Sequence, residues 1–409
     1  MSATRTVPAA ASRAEGAGSR REWVVVAALM AMAGWGGNEF TPLLTVYREH
    51  GYSNVGVDAL LAAYVAGLVP GLLIASALSD MRGRRPVMLA GGAAAVLGSL
   101  LIALSPYGPA PVAAGRLLSG LGIGIAMAVG TTWVKELSAG TSPGTGARRA
   151  AMAMTLGLAI GPGVAGVLAQ WAPWPRVLPY VVHVVLTLPV LAWAAARAVE
   201  TRTYDDGPPS LRSRLRVPAA GHRRFLWVVL PLAPWVFGTA SIAYVVLPQL
   251  AEAQAGGRGL LLATTLTVLT LGAGVLIQPV ARRLDDVSTA RACVVSMLFV
   301  VAGLILATTV AVSGTPWPAF AVAPLLGCAY GIAVVSGLLE VQRIAAPDEL
   351  AGLTGVYYSL TYCGFLLPLV LAALAHWFTY PAMLLTLAVI ALACTAPMAT
   401  APARHAPAP

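Results

Sequence analysis

Long apolar runs separated by short polar breaks dominate the chain. They occupy 23–46, 58–79, 86–105, 111–134, 149–171 and 176–198, and again 224–248, 259–281, 290–312, 317–339, 351–374 and 377–398. An α-helix needs about 20 residues to cross a bilayer, so the pattern predicts twelve spanning helices. A membrane β-barrel, which alternates over segments of about 10 residues, is excluded. The first run exceeds the roughly 7–15 residues of a signal-peptide core and is read as a retained helix.

The longest polar interruption, 200–223, carries Asp205, Asp206, Gly207, Pro208 and Pro209 and divides the helices six and six. It reads as a cytoplasmic linker between an N-terminal bundle, 23–199, and a C-terminal bundle, 224–398. Residues 1–22 lack apolar periodicity and read as a disordered cytoplasmic tail. Residues 399–409 form a second cytoplasmic tail. The expected fold is an all-α polytopic membrane protein with two pseudo-symmetric six-helix bundles.

Composition removes the soluble alternatives. Of 409 residues, 58% are apolar and only 10% charged, against about 45–50% and 25% in soluble domains. The net charge of +10 could suggest nucleic acid, but the positions of the charges decide otherwise. With the amino terminus inside, 22 of the 26 basic residues fall on the cytoplasmic side. Only Arg48, Arg176 and Arg258 fall outside, and Arg116 lies within a span. That asymmetry places both ends in the cytoplasm. Cys293, Cys328, Cys363 and Cys394 stand singly in apolar runs, without metal or redox spacing, and read as packing residues.

A shift of 206 residues lays Pro42 on Pro248, Asp80 on Asp286, Arg85 on Arg291, Pro162 on Pro368, Trp171 on Trp377 and Pro175 on Pro381. Matching features at one offset indicate a structural repeat, the arrangement by which many transporters place a site at the bilayer midplane.

Three segments carry motifs. The loop after the second span reads SALSDMRGRRPVML, with Asp80, Gly83, Arg84 and Arg85 as an interfacial charge cluster around a tight turn. This segment resembles the loop 2–3 signature of the major facilitator superfamily, with Ser76 in place of its leading glycine and Met81 where a basic residue is common. The second-half copy, around Asp286 and Arg291, is degenerate. In the fourth span RLLSGLGIG, with Arg116, Gly120, Gly122 and Gly124, is similar to the signature of proton-coupled members. In the fifth span GLAIGPGVAG, with Gly157, Gly161, Pro162, Gly163 and Gly166, resembles the antiporter signature of the twelve-helix drug/proton exporters. In that family the segment is associated with export. Its glycines permit close helix approach and Pro162 bends the helix.

Charges inside the spans are the candidate chemistry. Glu39 lies four positions past the first span's midpoint near Trp35, and Arg116 five positions before the fourth span's midpoint near Leu121. At a rise of about 1.5 Å per residue, both sit about 6–8 Å outside the midplane. An uncompensated charge at the bilayer centre costs about 2.5–3.5 kcal/mol, so a Glu39–Arg116 ion pair facing an aqueous cavity is expected. The resemblance implies that helices 1, 4, 7 and 10 line that cavity. Glu39 is then the protonatable carboxylate and Arg116 its partner in proton coupling. Trp35, Asn38, Trp235, Tyr244, Gln249, Gln278, Tyr330, Tyr357, Tyr358 and Tyr362 are candidate solute contacts, an aromatic and amide wall suited to an apolar or cationic solute. His183 reads as a hydrogen-bonded packing residue with a proton relay as the alternative. Asp348 and Glu349, at the start of the eleventh span, are candidates for a latch onto Arg82, Arg84 or Arg85.

These readings converge on a proton-coupled exporter that works by alternating access. It would use the proton gradient without a cofactor or metal, and act as a monomer in a bacterial cytoplasmic membrane. A sugar or small-metabolite facilitator or symporter is the alternative. A polytopic membrane enzyme is more remote, because the acidic pairs Asp205/Asp206 and Asp285/Asp286 stand in loops without a histidine array.

Overall fold

The computed structural model describes residues 9–142, 145–201, 217–346 and 349–400, which form helices and connecting turns with no strand among them. Helix α1 spans Ala9–Asn38 and continues through a turn, Thr41–Leu43, into a short helix, Leu44–Glu49. Eleven further helices are long and apolar enough to cross a membrane. They are α2 (Asn54–Arg82), α3 (Arg84–Ala103), α4 (Pro109–Glu136), α5 (Thr145–Trp171) and α6 (Leu178–Arg197), then α7 (Phe225–Gln254), α8 (Gly259–Leu276), α9 (Arg291–Ser313), α10 (Ala319–Ile344), α11 (Gly352–Leu374) and α12 (Tyr380–Ala399). With α1 they make up the twelve expected.

The first helix begins inside the segment read from sequence as a tail. Residues 9–22 are helical and continuous with α1, as their content of Ala, Arg and Glu allows. Residues 1–8, 202–216 and 401–409, which hold most of the expected tails and linker, lie outside the described residues.

Local chemistry sets several boundaries. Ser53 caps α2, its hydroxyl accepting from the Gly56 amide at 3.1 Å. Gly83 separates α2 from α3 with φ +107°, a conformation that favours glycine. A π turn interrupts α4 at Ala126–Gly130, π turns open α7 at Phe225–Val229 and interrupt it at Ile242–Val246, and a 3-10 turn breaks α11 at Cys363–Leu366. Such interruptions redirect side chains and are frequent at functional sites.

Within each half, α2 crosses α4 and α8 crosses α10 backbone to backbone. A Cβ on Gly120 would stand 2.0 Å from the Tyr64 carbonyl oxygen and one on Gly67 1.9 Å from that of Leu117. One on Gly327 would meet the Thr270 carbonyl at 2.2 Å. Gly67, Gly120 and Gly124 correspond to Gly274, Gly327 and Gly331, one residue beyond the shift of 206. The repeat is therefore physical, with one residue of slippage.

Large apolar side chains remain exposed on the third helix of each three-helix unit, among them Leu97 on α3, Val185 on α6, Leu298 on α9 and Val389 on α12, and on other helices, as at Leu156 on α5 and Val268 on α8. A contiguous apolar exterior of this kind suits lipid rather than water. The first half's core extends into the second through Tyr244, Val245, Leu260, Tyr362 and Phe365, so the halves meet along a packed seam.

Candidate functional site

Glu39 sits where α1 ends, fully buried. The Trp35 indole, one turn earlier, donates to its Oε2 at 3.1 Å, and the Ser99 hydroxyl of α3 lies 3.1 Å from its Oε1. Ser99 Oγ also lies 2.8 Å from His183 Nδ1 on α6, and His183 Nε2 lies 2.9 Å from the Met32 carbonyl oxygen. Both Ser99 and His183 are buried. His183, read from sequence as a packing residue, belongs to this polar cluster. Ser99 carried no signal, being one small hydroxyl in an apolar run. Asn38 faces elsewhere, donating to the Leu158 carbonyl of α5 at 2.9 Å and accepting from Thr41 at 3.0 Å.

Arg116 on α4 stands level with the end of α1, donating to the Gly37 carbonyl at 3.2 Å. The expected ion pair with Glu39 is corrected: among the described residues, no carboxylate stands within 4.0 Å of its guanidinium. The guanidinium lies instead over two aromatic faces, 4.5 Å from the Phe40 ring centre and 4.4 Å from that of Tyr64. The ring quadrupoles attract a buried cation without a second charge. Glu39, satisfied by Trp35 and Ser99, faces α3 and α6. Arg116 Nε is buried without a hydrogen-bond partner.

The same Tyr64 reaches the other half. Its ring centre lies 6.3 Å from those of Tyr362 and Phe365 on α11. Phe237 of α7 stacks on both, at 4.3 Å and 4.9 Å, and meets Tyr330 of α10 at 5.5 Å. Tyr362 donates to Met127 Sδ in the α4 π turn at 3.4 Å. Tyr330, Tyr358 and Tyr362, with Tyr244 beside Phe365, thus stand together at the seam. Phe237 and Phe365 join them, although as phenylalanines in apolar runs they gave no sign in the sequence.

The other candidates lie elsewhere. Trp235 packs in the second half's own core, and Tyr357 turns inward to donate to the Ala333 carbonyl at 3.1 Å. Gln249 reaches Tyr380 at 3.5 Å at the bundle end opposite the α2–α3 loop. Gln278 opens the short helix Gln278–Leu284 that follows α8.

At the α2–α3 loop, Arg84 pairs with Asp80 and also reaches Glu136 of α4 at 3.1 Å. Glu200, just after α6, accepts from the backbone amides of Arg84 at 2.8 Å and Arg85 at 2.9 Å, and so caps the first turn of α3. A Cβ on Gly83 would lie 2.4 Å from the Glu200 carboxylate. Glu136 and Glu200 were not singled out in the sequence, because each stands among residues counted there only for their charge. In the second half Arg343 pairs with Asp285, while Arg224 and Glu340 form a buried pair at 2.6 Å. In that copy it is therefore Asp285, not Asp286, that reaches an arginine of α10. Its neighbour Asp286 accepts from the Ser288 hydroxyl at 2.7 Å and amide at 2.8 Å, which holds its carboxyl below the usual range. Asp348 lies outside the described residues. Glu349, the other latch candidate, precedes α11, where its backbone carbonyl accepts from the Leu353 amide at 2.9 Å.

The α5 glycines face two ways. A Cβ on Gly157 would lie 2.0 Å from the Ala31 carbonyl of α1, and one on Gly161 2.7 Å from that of Trp35. One on Gly166 would meet Thr264 of α8, in the other half, at 2.6 Å. Pro162 is buried within α5.

Two repeated six-helix halves that meet along an aromatic seam, with a buried acid and a buried base on one side of it, define a membrane transporter. The chain belongs to the Major Facilitator Superfamily, whose sequence profile matches residues 24–367. The human organic anion transporter MFSD10 (TETRAN) shares the fold, with a TM-score of 0.66 and 20% identity over 93% of this chain and 99% of that one. No curated protein sequence matches the chain.

Proposed function

We propose that this transporter exports a small, largely apolar solute in exchange for protons by alternating access, from a bacterial cytoplasmic membrane with both termini in the cytoplasm. The seat of Glu39 carries the reading. A buried carboxylate held by an indole and a hydroxyl, with no arginine or lysine within ion-pair distance among the described residues, changes its surroundings by a full charge when it gains or loses a proton. A state that favours the acid and one that favours the carboxylate then differ in proton affinity, which is the condition for coupling. The contact of α5 with α1 at Ala31 and Trp35 supports export, since it seats the antiporter-like segment against the turn that bears Glu39.

The solute class takes a second reading from Arg116. Its cation, one aromatic ring away from the seam, favours a solute that carries an acid group over a cationic one. The organic anions named for MFSD10 are of that class.

The test is transport by proteoliposomes given a lipophilic cation, a neutral antibiotic, an organic acid and a sugar, with and without a pH gradient. Glu39→Gln should abolish gradient-driven transport and keep exchange of labelled for unlabelled solute. Gradient-driven transport by that variant equal to wild type would sink the assignment. Sugar exchange indifferent to the gradient would favour the facilitator.

A further inference from the structure

On the proton-coupled reading, on which this inference rests, the neighbours of Glu39 fix where the hydrogens of its cluster lie. The Met32 carbonyl can only accept, so His183 Nε2, 2.9 Å away, must carry a hydrogen. Ser99 has one hydroxyl hydrogen and two neighbours, His183 Nδ1 at 2.8 Å and Glu39 Oε1 at 3.1 Å. With a neutral imidazole, Nδ1 is a bare lone pair and Ser99 must donate to it. The Ser99 oxygen can then only accept from Glu39, which is the carboxylic acid. With Glu39 ionised, Ser99 donates to the carboxylate and accepts from Nδ1, and His183 is the imidazolium. In both cases Glu39 Oε2 accepts from the Trp35 indole.

We infer that Glu39, Ser99 and His183 form a proton wire that holds one shared proton whenever its bonds are intact, with His183 as its second terminus. The two arrangements differ by a concerted shift. The Glu39 O–H bond breaks as a new Ser99 O–H forms, and the original Ser99 O–H breaks as Nδ1–H forms. No atom or electron pair is gained or lost. An ionised Glu39 beside a neutral His183 has one hydrogen too few, so release of the proton opens one of the contacts that tie α1 and α6 to α3. Deprotonation is thereby converted into loosened packing within the first half.

The surroundings favour this role over a chance contact. A Cβ on Gly36 would stand 2.6 Å from His183 Cε1, so α1 is cut away where the imidazole lies. The other titratable groups within electrostatic reach are Arg116 on α4 and Tyr180 on α6, whose hydroxyl lies 3.3 Å from that of Tyr47 in the short helix Leu44–Glu49. On the α5 side the neighbouring partner is the Leu158 carbonyl, taken by Asn38.

The experiment follows both termini in the full-length purified protein. Infrared difference spectra report the Glu39 acid carbonyl, identified by its loss in Glu39→Gln, and nitrogen NMR reports the His183 ring. In wild type the two signals should change together as one proton is lost. In Ser99→Ala they should titrate separately, and gradient-driven transport should fall about a hundredfold, the lower end of what positioned proton transfer contributes. Ser99→Thr, which keeps the hydroxyl, should restore both. Independent titration of Glu39 and His183 in wild type would overturn the wire, as would coupled titration in Ser99→Ala. The wild-type titration stands even if Ser99→Ala fails to fold. Gradient-driven transport by Glu39→Gln would instead defeat the functional reading alone.

Discussion

Arg116 shows how one residue keeps a charge inside an apolar bundle without an acid in contact. Two ring faces and the Gly37 carbonyl take the place of a carboxylate. Desolvated cation–π contacts contribute about 2 kcal/mol, and removal of so large a buried side chain also leaves a cavity. Arg116→Ala should therefore lower stability by about 3–5 kcal/mol, read as a fall in Tm in detergent, with Arg116→Lys recovering part of it. That Arg116 would meet the end of the first span was legible, because rise per residue is fixed. Its partner was not legible: Phe40 and Tyr64 are ordinary members of apolar runs, and nothing in one dimension ranks two ring faces above Glu39. His183 was visible, but its tie to Glu39 passes through Ser99 on a third helix.

Among the elements, α5 ties the site to the frame. The spacing of Gly157, Gly161 and Gly166 was plain in the sequence, and so was close helix approach as their purpose. Which helix each glycine meets was not, since that depends on how α5 is rotated about its axis. The structure gives a contrast within one motif. Gly157 has the Ala31 carbonyl 2.0 Å from where a Cβ would stand, whereas Gly163 has nothing within 4 Å. Gly157→Ala should destabilise the protein by about 1–3 kcal/mol through overpacking and disturb the seat of Glu39. Gly163→Ala should leave Tm and transport unchanged. Thermal melts of the two variants side by side check the expectation. The turns that break α4, α7 and α11 were beyond sequence reading, because their residues are as apolar as the helices they interrupt.

At the scale of the whole molecule, the division into two halves was the most legible feature, since apolar run lengths and basic residues are read by the bilayer itself. How the halves touch was not, because the seam joins residues from helices far apart in the chain. Gly166 and Thr264 offer a direct handle on it. A Cβ at 166 would lie 3.3 Å from the Thr264 Cβ, close to the roughly 3.5–4.5 Å of a disulfide. Gly166→Cys with Thr264→Cys should cross-link under oxidation and arrest transport, with activity returning on reduction. An oxidised, fully cross-linked protein that still transports would show that α5 and α8 do not separate in the cycle.

The crossings of α2 with α4 and of α8 with α10 have a consequence for how such a protein can change over generations. Where a carbonyl oxygen occupies the space a single methyl would need, as at Gly67, Gly120 and Gly327, every other amino acid is excluded alike, whatever its polarity. The seam, built from rings that can be exchanged for other rings, has no such restriction. On the proposed function, new solute preferences would arise by drift along the seam, while two narrow bands of glycine stay fixed and keep the helix crossings within each half rigid.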